Sequence, residues 1–117
     1  MPFDLMSEIE VFARVETRRP IGPVEQALIE ARELISNEDY WGRGCGSCAP
    51  ALPQLCVLTA IAAAGDEWDG AVETFNAARG VHPSAFIGDW NDAPTTTHAD
   101  VMSAFDRAIA LAASEGA

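Results

Sequence analysis

The chain has 117 residues, 49% of them apolar, and its eighteen acids face seven arginines and no lysine, for a formal net charge of −11. That length sets a single hydrophobic core as the default, and that apolar content excludes a disordered chain. An acidic body repels phosphate, and Arg18-Arg19 is the only local basic pair, so direct nucleic-acid binding is not expected.

No stretch approaches the roughly 20 apolar residues that a spanning helix takes, so no membrane association is expected. Met1 to Glu8 lacks a basic region followed by an apolar core, and three cysteines are an odd number. Both features point to a cytoplasmic protein with reduced thiols. The acids are scattered along the chain rather than ranked on one face. They suit solubility, and beyond that a basic protein partner.

Taken in order, residues 1–20 form an N-terminal arm and residues 21–117 a single helical domain. Within the arm, Glu8 to Thr17 alternates, with Ile9, Val11, Ala13 and Val15 on one side and Glu8, Glu10, Arg14 and Glu16 on the other. This predicts a strand, with a helix through Leu5, Ile9 and Phe12 as the weaker alternative because it buries Glu16. With no good partner strand in the chain, a strand here can dock as an arm or pair with a second copy through residues 8–17. Pro20-Ile21-Gly22-Pro23 closes the segment. A helix follows from Pro23 to Ser36-Asn37, with Val24, Ala27, Leu28, Ala31, Leu34 and Ile35 at helical spacing.

Glu38 to Pro53 reads as a long loop carrying Tyr40, Trp41, Arg43, Cys45 and Cys48. The second helix, Pro53 to Ala64, is apolar on nearly every face and is expected in the middle of the domain. Gly65 ends it, and Asp66 with Asp69 is placed to cap a third helix whose stripe is Trp68, Ala71, Val72, Phe75 and Ala78, stopping at Gly80. Val81 to Thr96 is a second irregular stretch. Thr97, with Asp100 in the capping-box position, opens a last helix that buries Val101, Met102, Phe105, Ala108, Ile109 and Ala112. The fold class is therefore mainly α: a compact four-helix orthogonal or bundle-like domain with two long loops and one N-terminal strand.

Three constellations can carry chemistry. Cys45-Gly46-Ser47-Cys48 can hold one edge of a zinc site, both sulfurs about 2.3 Å from the metal, with Cys56 and either His98 or His82 completing the set. Cys56 near a helix start favours a thiolate, and His98 as base with Asp92 or Asn91 as orienting group would make a cysteine-dependent hydrolase or transferase. A cysteine in an apolar helix is more often a small hydrophobe, and two loop cysteines are more often free. Trp90-Asn91-Asp92-Ala93-Pro94 reads first as a loop anchor, since tryptophan buries a large area and Asn and Asp bond nearby amides.

The blocks Leu55-Cys56-Val57-Leu58-Thr59-Ala60 and Trp90-Asn91-Asp92…Thr97-His98…Asp106-Arg107-Ala108-Ile109 resemble a family of small bacterial and phage proteins, a domain of unknown function. Its pattern is a Trp-Cys-x-x-Gly-Ala helix followed by a Trp-Asn-Asp…Thr-His…Asp-x-Ala-Ile ending, and the similarity spans roughly residues 24 to 112. Leu55 and Thr59 stand where the family has tryptophan and glycine, and the Cys45/Cys48 pair lies outside its pattern. The resemblance makes Trp90, Asn91, Asp92, Thr97 and His98 family-motif positions and implies a phage or mobile-element origin without naming a reaction. The reading favoured is a non-enzymatic interaction or regulatory protein with no resident cofactor. The zinc module and the cysteine enzyme are its alternatives.

Overall fold

The computed structural model describes residues 20–43 and 54–117. The predicted strand and pairing surface at residues 8–17 and the Cys45/Cys48 pair lie outside the described residues. Within them the chain is mainly helical, with five α-helices and one 3-10 turn.

Helix α1 spans Pro23–Leu34, with Gly22 as N-cap and proline in its first turn. Its start is closed from the other end of the domain, because the Ala117 oxygen accepts the Val24 amide at 2.8 Å and the Glu25 amide at 3.3 Å. Ala27, Leu28 and Ala31 face the core, and Ile35 continues the stripe just beyond the helix. The 3-10 turn Glu38–Tyr40 follows, capped by Asn37, whose side chain accepts the Asp39 amide at 2.9 Å.

Helix α2 is shorter than the sequence predicts, Val57–Ala63 rather than Pro53 to Ala64. Leu55 is extended instead, making an isolated parallel bridge with Trp41, and its amide and carbonyl are taken by Tyr40 and Gly42. Backbone groups already paired across the loop cannot also enter a helix. Nor is α2 buried all round: Val57, Ala60 and Ile61 face the core while Ala62 and Ala63 are exposed. Gly65, at φ +138°, ends the segment as predicted.

Helix α3, Trp68–Arg79, stops at Gly80 in the left-handed region as expected. Its N-cap is Glu67, without a side-chain cap bond, and not the predicted Asp66. Its core face is Ala71 and Phe75, whereas Trp68 is 39% exposed and does not join the buried stripe. The stretch expected to be irregular contains a short helix, α4, Ile87–Asp92. The last helix, α5, His98–Glu115, has the predicted capping box: Thr97 accepts the Asp100 amide and Asp100 accepts the Thr97 amide.

Helix α5 lies against α3 and α1, and α1 also covers α2, so these four elements make the bundle-like domain and α4 plugs its end beside α2. The centre is aromatic. Phe75 meets Phe105 edge-on at 4.9 Å between ring centroids and Trp90 at 5.7 Å. Small residues let the helices approach: a Cβ on Gly70 would come 2.7 Å from Cγ2 of Val24, so α3 and α1 cross there almost backbone to side chain.

Candidate functional site

Asn91, at the end of α4, has no exposed surface, and each of its polar sites is used. Its Oδ1 accepts the Trp41 indole N–H at 2.8 Å and the Val57 amide at 3.0 Å. Its Nδ2 donates to the Gly42 carbonyl at 3.1 Å and to Asp92 Oδ1 at 2.9 Å. One side chain thereby ties the 41–43 segment and the first residue of α2 to α4. Burying an amide is costly unless every donor and acceptor is matched, and here they are. Arg43 continues the joint: its guanidinium lies 5.0 Å from the Trp41 ring centroid and donates to the carbonyls of Ala93 and Thr96.

The residues predicted as a catalytic cluster take places in or beside this joint. Cys56 is fully buried and is the N-cap of α2, its Sγ accepting the Thr59 amide at 3.4 Å and lying 3.2 Å from Thr59 Oγ1. The expectation of a thiol inside the first helical turn is corrected by one position, since the helix begins after it. His98 is half-buried, and its Nε2 donates to the Ile35 carbonyl at 2.8 Å, joining the end of α1 to the start of α5. Its ring stands 5.9 Å from that of Trp41. Neither Cys56 nor His98 bonds the other, and Asp92 bonds Asn91. A sealed sulfur engaged with its own helix is not presented to a substrate, which sets this geometry apart from a nucleophile with its base. Among the described residues no three His, Cys, Asp or Glu side chains converge as a metal site.

A second buried asparagine shapes the surface. Asn76 of α3 donates from Nδ2 to the carbonyls of Pro83 and Ala85, both at 2.9 Å, and its Oδ1 accepts Arg79 Nη2 at 3.0 Å. Arg79 itself lies 4.6 Å from the Trp90 ring centroid, and burial lowers its guanidinium from the ordinary arginine value. Its Nε is buried with no hydrogen-bond partner among the described residues, so the aromatic faces supply much of its compensation.

The segment that Asn76 fixes stands opposite the first turns of α3, and between them lies a cleft of about 410 Å³. Trp68, Asp69, Val72 and Glu73 form one wall and His82, Pro83 and Ser84 the other. His82 Nδ1 accepts the Ser84 amide at 3.1 Å and lies 2.8 Å from Ser84 Oγ. In the neutral ring the proton is therefore on Nε2, as the amide bond requires an acceptor at Nδ1. Nε2 has no hydrogen-bond partner among the described residues. Helical spacing places Trp68 in the buried stripe of α3 and His82 in an irregular stretch, where it was a candidate zinc ligand, so periodicity does not bring the two walls of this cleft together. The signal available was an aromatic set among acids, Asp66-Glu67-Trp68-Asp69, at a helix start.

No helix among the described residues is long and apolar enough to cross a membrane. No curated protein and no solved structure matches the chain at a significant level. A family model does match it, over residues 20–111, and that span takes in both sequence blocks on which the resemblance rests. The chain belongs to the family of unknown function DUF6197.

Proposed function

We propose that this protein is a non-enzymatic interaction module that binds a basic protein partner through its acidic surface. The observation that carries the proposal is how the described arginines are spent. Arg32 pairs with Asp106 at 2.8 Å, but Arg43 bonds backbone carbonyls, Arg79 bonds Asn76 and stacks on Trp90, and Arg107 bonds Ser103. The described arginines thus do little to neutralise the exposed carboxylates around them, among them Glu30, Glu38, Asp66, Asp69, Glu73 and Asp89. Such a field steers a basic partner and fixes its orientation. A cytoplasmic setting, where thiols stay reduced, suits the buried free thiol of Cys56.

The test is a titration with a short peptide of alternating arginine and glycine, followed by calorimetry at low and at physiological ionic strength. Binding that weakens several-fold as salt rises supports the proposal. Absence of binding at low salt, or binding indifferent to salt, overturns it.

A further inference from the structure

We propose that the cleft between α3 and the 82–84 segment is a pocket for an arginine side chain of the partner. This inference rests on the reading that the acidic surface meets a basic protein.

The cleft has the parts such a ligand uses. Trp68 offers a large aromatic ring that is 39% exposed, and an arginine guanidinium stacks flat on such a face. Asp69 and Glu73, both exposed, follow one another a helical turn apart on the same wall. They supply carboxylate oxygens that a planar guanidinium meets in a forked pair of bonds. Val72 and Pro83 give apolar surface for the three-carbon stem. No arginine lines the cleft, so the charge there is complementary to a cation and repels an anion. The positive end of α3 opposes this by about half a unit charge, which two full carboxylates outweigh.

The pocket also exists before anything binds. Asn76 holds the Pro83 and Ala85 carbonyls to α3, the same helix that carries the opposite wall. The Ser84 amide fixes the His82 ring by its bond to Nδ1. A side chain entering the cleft therefore meets a loop wall already held to the helix, which lowers the entropy lost on binding. The volume of about 410 Å³ lies within the range of roughly 300–1,000 Å³ typical of small-ligand clefts, ample for one long side chain.

The experiment compares three peptides that differ at one central position, arginine, lysine or glutamine, each flanked by the same glycine and lysine residues. Binding is followed by chemical shifts of the Trp68 indole N–H in the full-length protein, and by calorimetry on wild type, Trp68→Ala and Glu73→Gln. The arginine peptide is expected to bind about five- to tenfold more weakly to Trp68→Ala and about threefold more weakly to Glu73→Gln. The glutamine peptide should leave the Trp68 resonance where it is. Circular dichroism of each variant, at an exposed position, reports whether the fold is intact. Equal binding of wild type and Trp68→Ala overturns the pocket while leaving salt-dependent binding elsewhere on the surface standing. Failure of every peptide to bind wild type at low salt overturns both readings. Equal shifts with lysine and arginine overturn guanidinium stacking, and a concentration-dependent dimer that protects Trp68 would assign the cleft to a second copy of the chain instead.

Discussion

The indole N–H of Trp41 donates to Asn91 Oδ1 at 2.8 Å across fifty positions of sequence, and the same oxygen also accepts the amide that opens α2. Two segments of otherwise irregular chain, 41–43 and the approach to α2, are thereby fixed by one side chain on a six-residue helix. The residues singled out for chemistry, Cys56, Asn91 or Asp92, and His98, sit at or beside this joint, with Cys56 on the Thr59 amide, Asp92 on Asn91 and His98 Nε2 on the Ile35 carbonyl. Their bonds are those of structure: a cap, an amide bridge and an imidazole on a helix-end carbonyl.

Replacing Asn91 by alanine should therefore be among the most damaging single changes in the domain. It strands the Trp41 indole, the Val57 amide and the Gly42 carbonyl in buried surroundings. At about 1–3 kcal/mol for each buried group left unpaired, and with some relaxation, the expected loss is about 3–5 kcal/mol. That is a large share of the roughly 5–15 kcal/mol that holds a domain of this kind together. Trp41→Phe keeps an aromatic ring beside His98 but removes one donor and some buried volume, so it should lose less, about 1–2 kcal/mol. Urea unfolding monitored by circular dichroism measures both, and similar losses for the two variants would contradict the hub.

The capping role of Cys56 makes a chemical prediction. In a Cys45→Ser/Cys48→Ser background, Cys56 should be inert to a thiol-reactive dye in the native state and react fully once unfolded, because its side chain has no exposed surface. Cys56→Ser, which keeps a cap acceptor, should change stability by less than Cys56→Ala, which is expected to lose about 1–2 kcal/mol. Rapid native-state labelling would show that the sulfur is presented to solvent.

Asn76 is the corresponding lever on the cleft. Asn76→Ala releases the Pro83 and Ala85 carbonyls and the Arg79 bond. We expect a loss of about 1–3 kcal/mol, limited because water can reach the freed loop. Faster amide hydrogen exchange in residues 81–86, with α5 unchanged, is the accompanying signature. Uniform acceleration over the whole domain would mean that Asn76 supports the core at large and not this wall.

Gly70 sets two opposed effects against each other. Alanine in place of glycine in the first turn of α3 gains at most about 1 kcal/mol of helix propensity. Its Cβ, however, would stand 2.7 Å from Cγ2 of Val24, a stiff β-branched side chain at the α1–α3 crossing. Overpacking of about 1–3 kcal/mol is the larger effect, so Gly70→Ala should destabilise. Val24→Ala in the same chain should recover part of the loss, and thermal melts of the single and double variants show whether it does. Additive losses would place the clash elsewhere.

Much of the architecture was legible in the sequence because it is local. Pro23 at a helix start, the Thr97/Asp100 capping box, and glycines at 65 and 80 act through backbone conformation and nearest neighbours. The apolar spacing of α1 and α5 likewise marks most of their buried faces without reference to the rest of the chain, Leu34 excepted, which is 41% exposed. What the tertiary structure decided were the places where distant segments compete for the same groups. Leu55 left α2 because residues 40–42 offered its backbone a partner. Trp90-Asn91-Asp92 became helical at the end of a stretch that reads as loop, where Asn91 found Trp41 and Val57. Trp68 turned outward from the helical stripe to line a cleft whose far wall is pinned by Asn76. Composition determined that the molecule is acidic, and local spacing and caps that it is mainly helical. Which asparagine is buried and which tryptophan faces solvent follows from hydrogen bonds made across the fold, and no local periodicity encodes those.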